Sequence, residues 1–137
     1  MTRRHVDRIR LANAEILGKG NLDLVDEVFA ADYVAHSSGG AGTRGSAFVL
    51  RFIGQLRTAI PNLRVVEIEI LLEKGDRVTW QRTLRGKHAA AFAGIPPSGK
   101  TVEWRDMHVS RFAGGRIVEE WVVSELAAQL MLKLPRG

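Results

Sequence analysis

Asp106 and His108 are the residues whose types and spacing most directly suggest acid–base chemistry. They lie two positions apart in a stretch of alternating hydrophobicity, which puts both side chains on one face of a strand together with Trp104 and Phe112. A carboxylate and an imidazole among aromatic rings either line a cavity or form a buried structural pair, in which Asp106 accepts a hydrogen bond from His108 or Arg82. The pattern by itself leaves both interpretations open.

Thiol, serine and metal chemistry fit the sequence poorly. The chain has no cysteine, which excludes disulfides, thiolate nucleophiles and cysteine-ligated metals. No G-x-S-x-G motif is present to carry a catalytic serine, so Ser37, Ser38 and Ser124 are interpreted as loop and strand-end residues. We expect no metal site either, because metal-ligand spacing is absent among the histidines, which are His5, His36, His88 and His108.

The segment 94–101 fits a phosphate-binding motif in its letters but not in its context. It reads GIPPSGKT, which matches G-x-x-x-x-G-K-[ST]. Such a loop needs successive backbone N–H groups that face the phosphates and then a helix. Here two loop positions are prolines, which have no N–H group, and the residues after Thr101 alternate as in a strand. We therefore expect a stiff loop between strands, no nucleotide and no other cofactor.

The elements that would position these residues begin with three helices. Their apolar residues recur at helical spacing, and glycine or proline ends two of them. The expected elements are a helix over 6–17 that Gly18 and Gly20 end, a helix over 24–29 that Asn21 caps, an extended piece at 33–36, a loop at 37–45, and a helix over 48–60 that Pro61 stops.

After these helices the apolar period changes to two residues, which predicts a meander of long antiparallel strands. The inward-facing sets are expected to be Val66, Ile68, Ile70 and Leu72, then Val78, Trp80, Arg82 and Leu84, then Val102, Trp104, Asp106, His108, Ser110 and Phe112, and last Ile117, Glu119, Trp121 and Val123. A short amphipathic helix over 126–134 follows. This order predicts one α+β domain over residues 1–137, with N-terminal helices on the concave face of a strongly curved, mainly antiparallel sheet that encloses a ligand cavity.

The net charge of +5 does not by itself indicate a nucleic-acid partner. The basic residues are spread along the chain beside carboxylates, and neither a groove-reading basic helix nor an aromatic stacking motif is present. No apolar run approaches the roughly 20 residues that span a bilayer, and the N-terminus has no secretory signal. We expect a cytoplasmic protein without nucleic-acid or membrane partners.

The loop at 86–100 carries a family resemblance. It reads GKHAAAFAGIPPSGK and resembles the pattern G-x-H-x-x-x-F-x-G-I-P-P-[ST]-G-[KR] of the SnoaL-like polyketide cyclases. Segments 21–23, 29–36, 61–65 and 111–121 fit the same family in order. The resemblance implies membership of the cone-shaped superfamily that includes ketosteroid isomerase and nuclear transport factor two, a homodimer with one pocket per subunit, and no cofactor. A second reason to expect a homodimer is the apolar outer side of the sheet, formed by Val65, Leu71, Met107, Val109, Val118 and Val122.

The resemblance also implies site residues and a reaction. The best-known members close a polyketide ring by an intramolecular aldol reaction, with an aspartate four residues after the tryptophan of the last strand as acid and base. That position is Glu125 here, which keeps the carboxyl group but adds a methylene, and His108 matches the assisting histidine. Without the resemblance, the sequence favours a structural role for Glu125 over a catalytic one, as a solvated carboxylate at the start of a helix, where the helix dipole stabilises it.

The expected function is cofactor-free acid–base catalysis on an apolar or aromatic small molecule. Glu125 would take a proton from a C–H beside a carbonyl, His108 would bind the oxyanion, and Asp106 would orient His108. Two alternatives remain open: water activation of an epoxide by Arg82 with Asp106, and binding of an apolar ligand without turnover. The expected substrate-binding residues are Trp104, Trp121, Trp80, Arg82, His36, His88 and Phe92.

Overall fold

The computed structural model describes residues 3–37 and 43–135, and they form an α+β fold as predicted. Helices come first and last in the chain. They are α1 (Arg3–Leu11), which continues as a π-helix (Ala12–Gly18), a 3-10 turn (Leu22–Leu24) leading into α2 (Val25–Val28), then α3 (Ser46–Ala59) and α4 (Leu126–Leu132).

Six strands form one curved sheet whose spatial order is β2-β1-β6-β5-β4-β3. Strands β1 and β6 pair in parallel, and every other neighbouring pair is antiparallel. The strands are β1 (Phe29–Ser37), β2 (Thr43–Arg44), β3 (Arg64–Lys74), β4 (Arg77–Lys87), β5 (Thr101–Ala113) and β6 (Arg116–Ser124). The hydrophobic core lies between the concave face of this sheet and the helices.

The first helix is where the sequence predicted it, but its second half is wider than an α-helix. The π-helical turns begin at Ala12, and the side-chain amide of Asn13 donates to the carbonyl oxygen of Ile9 at 2.8 Å. Asn13 is buried together with Ile16 and Leu17. Short π-helical segments are frequent at functional sites, and this one brings a polar amide into the core.

Strands β4 and β5 confirm the predicted alternation. Every second residue of β5 from Val102 to Phe112 is buried, and the same holds for β4 from Val78 to Leu84. The two strands pair without interruption, so Trp80 lies opposite His108 and Arg82 lies opposite Asp106. The concave face therefore carries the polar and aromatic residues that the sequence placed together.

Strand β3 departs from the predicted pattern because two β-bulges interrupt it. The bulges lie at Val66 and Leu71, where the pairing with β4 shifts by one residue. Val65, Ile68 and Ile70 therefore pack against the core, whereas Val66 and Leu72, predicted to point inward, are exposed. An inserted residue turns the following side chains to the other face of a sheet.

Strand β6 contains another bulge, and it reverses the predicted faces of that strand. Ile117 faces the core, but the pairing with β5 then shifts at Val118. The residues predicted to point inward after this bulge point outward, and their neighbours point inward instead. Glu119, Trp121 and Val123 thus lie on the outer face, while Glu120, Val122 and Ser124 line the interior.

Three smaller features complete the comparison with the sequence. Asn21 precedes the second helix, but its side chain makes no capping hydrogen bond. Of the predicted loop at 37–45, Ser37 ends β1, Thr43–Arg44 forms β2, and residues 38–42 lie outside the described residues, including Ser38. Within the described residues no helix is long and apolar enough to cross a membrane.

Candidate active site

A cavity of about 240 Å³ lies between the concave face of the sheet and the helices. Most of its wall is apolar, because α3 contributes aliphatic and aromatic side chains and β4 and β5 contribute indole rings. Prominent apolar lining residues are Phe48, Phe52, Ile53, Leu56, Trp80 and Trp104. Enclosed apolar cavities with a few polar groups are the usual form of a small-molecule site.

The carboxylate of Glu120 accepts a hydrogen bond on each of its two oxygens. The hydroxyl of Tyr33 donates to Oε1 at 2.8 Å, and the hydroxyl of Ser110 donates to Oε2 at 2.5 Å. Nδ1 of His108 lies 3.4 Å from the same Oε2. Ser110 is held in turn by the indole N–H of Trp80, which donates to its oxygen at 2.9 Å.

Glu120 is ionised in this environment even though it is fully enclosed. Burial raises the pKa of a carboxyl group, but the positive charge of protonated His108, and then the hydrogen bonds from Ser110 and Tyr33, outweigh burial and hold the pKa of Glu120 below its ordinary value. The same arrangement acts on Tyr33 in the opposite direction. Burial, followed by the charge of Glu120 and their hydrogen bond, raises the pKa of the Tyr33 phenol far above its ordinary range.

His108 is buried in the cavity wall and stacks on Trp80, with ring centroids 4.4 Å apart and planes inclined by 14°. Nδ1 faces Glu120 at a distance and angle outside regular hydrogen bonding, so the contact is an ion pair when the ring is protonated. Nε2 has no hydrogen-bond partner among the described residues. A buried polar atom without a partner is rare and needs an explanation.

Arg82 and Asp106 form the second polar group of the cavity. Nε and Nη2 of Arg82 face Oδ2 of Asp106 at 3.0 and 2.9 Å, and the hydroxyl of Ser124 donates to Oδ1 at 2.5 Å. Nη1 of Arg82 donates to Oδ1 of Asn13 at 2.8 Å, which ties the sheet to the π-helix. The two charges are both buried, and each is compensated by the other.

Glu125 lies away from the cavity, at the residue that precedes α4. Its side chain is 44% exposed and faces the outer side of the sheet. Oε1 accepts a hydrogen bond from the backbone N–H of Arg105 at 3.0 Å, and Oε2 lies 3.4 Å from Nη2 of Arg105. The structure does not bring Glu125 together with His108 and Asp106. The bulge in β6 shifts the strand pairing by one residue, so the residues after it point to the opposite face of the sheet from the one predicted.

The other predicted substrate-binding residues divide into two groups. Trp80, Trp104, Arg82 and His36 line the cavity, with His36 at its rim. The remaining three are not among the cavity-lining residues. Trp121 lies on the outer face beneath Arg77 and beside His36, His88 is fully buried in the core, and Phe92 packs edge-on against Phe52.

Glu120, Tyr33 and Asn13 were not identified from the sequence. Glu120 follows Glu119 directly, and nothing in the sequence marks which of the two points inward. The spacing of Asn13 four residues after Ile9 was the only available signal, since it places a polar residue on an otherwise apolar helix face. Within the described residues, no group of three or more histidine, cysteine or carboxylate side chains is arranged to hold a metal ion.

Comparison with known proteins gives consistent matches over nearly the whole chain. A family model described as SnoaL-like polyketide cyclase matches residues 7–131, as the loop at 86–100 had indicated. A candidate SnoaL-like polyketide cyclase from Jannaschia sp. CCS1 is 25% identical with a TM-score of 0.85, over 98% of this chain and 94% of that one.

Two proteins from Streptomyces have similar structures. IdmH from Streptomyces antibioticus, a candidate polyketide cyclase, is 28% identical with a TM-score of 0.78, over 94% of this chain and 96% of that one. AclR from Streptomyces galilaeus, a candidate hydroxylase, is 26% identical with a TM-score of 0.75, over 96% of this chain and 99% of that one. No curated protein matches the sequence.

Proposed function

Because this chain belongs to the SnoaL-like polyketide cyclase family, we propose that it is a cofactor-free enzyme that transfers a proton on a small carbonyl compound. The observation that carries the proposal is the set of contacts made by the two ring nitrogens of His108. His108 lies in the wall of the cavity. One of its ring nitrogens faces the buried carboxylate of Glu120, and the other has no hydrogen-bond partner among the described residues. An imidazole oriented by a carboxylate, with a nitrogen left for substrate, is an arrangement typical of general bases.

In the proposed reaction, Nε2 of His108 takes the proton from a C–H group of the bound substrate. The C–H bond breaks, the N–H bond forms, and the ring becomes an imidazolium whose charge faces Glu120. The hydroxyl groups of Tyr33 and Ser110 donate hydrogen bonds to that carboxylate and hold it in place. Glu120 is therefore a positioning residue, since it acts through His108.

The enolate then attacks a second carbonyl of the same molecule and closes a ring. The imidazolium returns its proton to the alkoxide that forms, so the enzyme ends in its starting state. A positioned base contributes roughly 10²–10⁴-fold to the rate. A C–H beside a single ketone is too weakly acidic for that contribution to suffice, so we expect a C–H activated by two carbonyl groups.

The choice of carboxylate differs from what the family resemblance implied. Glu125 occupies the position of the family's catalytic aspartate, but its side chain is partly exposed and paired with Arg105. Glu120 is buried beside His108. The contacts of the two residues support a site built from His108 and Glu120 and a structural role for Glu125.

The water-activating alternative has one observation in its favour. Arg82 and Asp106 are in contact and both line the cavity, as that mechanism would require. Both oxygens of Asp106 already accept hydrogen bonds, from Ser124 and Arg82. Its carboxylate is thus held as a structural anion, and proton transfer by His108 is the better supported function.

Proton exchange tests the proposal without knowledge of the natural substrate. 2-Acetylcyclohexanone carries one C–H between two carbonyl groups, and its replacement by deuterium can be followed by proton NMR in D₂O. We expect the protein to accelerate exchange at that carbon above the buffer rate, and the His108→Gln variant to abolish the acceleration. Equal acceleration by wild type and the variant would exclude His108 as the base.

We also propose a homodimer formed through the outer face of the sheet. Leu71, Met107 and Val123 are exposed on this face, between 44% and 62% of their accessible area. Two residues that the sequence assigned to the outer side lie elsewhere, since Val65 packs against the core and Val122 lines the cavity. Exposed apolar patches on a sheet face are commonly covered by a second subunit. A cytoplasmic location stays an expectation from the sequence.

A further inference from the structure

The guanidinium of Arg82 retains donors that its protein partners do not use. A guanidinium has five N–H groups. Two of them face Asp106 and one donates to Asn13. Among the described residues the other two N–H groups have no acceptor, and Arg82 lines the cavity. Its buried position means that a ligand atom, rather than bulk water, is the natural acceptor.

These donors lie close to the proposed base. Asp106 and His108 are two residues apart on the same face of β5, which corresponds to about 6.6 Å along a strand. Arg82 and Trp80 are their partners on β4. A ligand whose acidic C–H lies against His108 therefore has an adjacent oxygen within reach of Arg82.

The charges around the cavity argue for an uncharged ligand. Asp106 is compensated by Arg82, and Glu120 is compensated by His108 only when the ring is protonated. With His108 neutral the four groups carry one net negative charge, and with His108 protonated they carry none. A carboxylate ligand would find no uncompensated cation in either state, and burying an unpaired charge is costly.

The volume of the cavity limits the enclosed part of the ligand. An engineered cavity of about 150 Å³ holds one benzene molecule. The cavity here is about 240 Å³, so in proportion it encloses roughly ten non-hydrogen atoms. That number corresponds to one or two rings.

From these three features we infer that the substrate is an uncharged compound whose enclosed part has one or two rings, and that its enolisable oxygen is bound by the spare N–H groups of Arg82. The inference rests on the proposed function, because it assigns the atom on which the enolate charge forms. When the proton moves from the C–H to Nε2 of His108, the electron pair of that bond spreads onto the oxygen. Two preorganised donors at that oxygen stabilise the developing charge.

Binding of four aromatic probes tests the inference separately from catalysis. Naphthalene has no polar group, 2-naphthol is an uncharged enol analogue, 2-naphthoate is an anion, and 9-phenanthrol adds a third ring. Dissociation constants follow from fluorescence titrations at neutral pH. We expect 2-naphthol to bind roughly three- to tenfold tighter than naphthalene, as one hydrogen bond supplies. We expect 2-naphthoate and 9-phenanthrol to bind at least tenfold more weakly than 2-naphthol.

Two variants locate these effects. Arg82→Lys keeps a cation beside Asp106 but removes the planar fork, so 2-naphthol should lose its advantage over naphthalene while naphthalene binds as before. The ratio of the two constants cancels any general damage to the cavity. Phe52→Ala removes a ring from the wall and enlarges the cavity, so it should improve binding of 9-phenanthrol relative to 2-naphthol.

The outcomes separate this inference from the proposed function. Equal affinity for 2-naphthol and naphthalene in the wild type, or tight binding of 2-naphthoate or 9-phenanthrol, would overturn the inference even if proton exchange is catalysed. The expected affinities without any proton exchange would overturn the proposed function and leave the ligand class standing. If Arg82→Lys fails to fold, the wild-type ratio of 2-naphthol to naphthalene still decides whether a donor meets the hydroxyl.

Discussion

Nδ1 of His108 lies 3.4 Å from Oε2 of Glu120, and both side chains are buried beneath the helices. A carboxylate at this distance stabilises the protonated ring. The two residues come from neighbouring strands, and the bulge at Val118 is what turns Glu120 inward. The geometry of the candidate base therefore depends on an irregularity in the sheet.

Replacing His108 by glutamine should lower turnover by roughly 10²–10⁴-fold, because it removes the general base but keeps a side chain of similar size. Circular dichroism and the melting temperature should show a retained fold. Glu125→Gln is the matched control, and we expect full turnover because that side chain pairs with Arg105 outside the cavity. The opposite result, an inactive Glu125→Gln and an active His108→Gln, would return the catalytic role to Glu125.

Tyr33 is the single tyrosine of the chain, so a change in ultraviolet absorbance from tyrosinate formation on raising the pH can be assigned to this residue. Burial and the charge of Glu120 raise the pKa of its phenol, so the folded protein should show no tyrosinate at pH 10.0, the ordinary value. Protonated Tyr33 contributes stability that is complete below the ordinary pKa and is lost as pH rises above it. In denaturant the phenol should titrate near pH 10.0; a normal titration in the native protein would contradict the buried hydrogen bond to Glu120.

Glu120 should make the protein sensitive to acid. Its pKa in the folded state lies below the ordinary value of 4.5, so ionised Glu120 contributes stability that is complete above pH 4.5 and is lost as pH falls through the folded value. We expect the difference in the free energy of unfolding between wild type and Glu120→Gln to shrink as the pH falls below 4.5. Urea titrations at several pH values measure this. A difference that grows on acidification would contradict the assigned ionisation state.

Gly86 on β4 should not tolerate a side chain. A methyl group there would overlap with Cγ2 of Ile60 and crowd Asn62, so Gly86→Ala should lower the free energy of unfolding by about 1–3 kcal/mol. Gly54→Ala is the control, since a methyl group at that position of α3 meets nothing within 4 Å. Alanine in a helix interior is favoured over glycine by about 1 kcal/mol, so this variant should be more stable than wild type. Chemical denaturation of both variants checks the sign of each change.

Met107→Glu should dissociate the proposed homodimer, because it places a charge on the outer face of β5 where the Met107 side chain is 45% exposed. Light scattering at micromolar concentration should give the mass of a dimer for wild type and of a monomer for the variant. Leu50→Glu introduces the same charge on α3, away from the sheet, and should remain a dimer. A wild-type monomer would contradict the proposal.

The sequence predicted the order of the helices correctly. It also predicted which side chains of β4 and β5 face the core, because no bulge interrupts these two strands. Trp80, Arg82, Trp104, Asp106 and His108 were therefore placed on one face correctly. Each of these residues belongs to an unbroken period of two. Regular stretches of a sheet are the part of a fold that a hydrophobic pattern can specify.

The pattern failed where a single extra residue entered a strand. The bulge at Val118 inverts every following side chain, so Trp121 was assigned to the cavity and Glu120 was missed. Both faces of β6 offer an apolar and an acidic residue, and alternation alone cannot choose between them. The family resemblance then placed the catalytic carboxylate at Glu125, a position that the structure puts on the outer side.

The hydrogen bond between Tyr33 and Glu120 joins residues 87 positions apart in the chain. Strand β1 can pair with β2 early, but its parallel partner β6 leaves the ribosome only when almost the entire polypeptide has been made. Contacts of such long sequence separation form slowly, because the chain loses loop entropy before they stabilise it. The carboxylate beside His108 is consequently among the last parts to be assembled, and we expect a chain that ends before β6 to contain α1–α3 and the β3–β5 meander but no competent cavity.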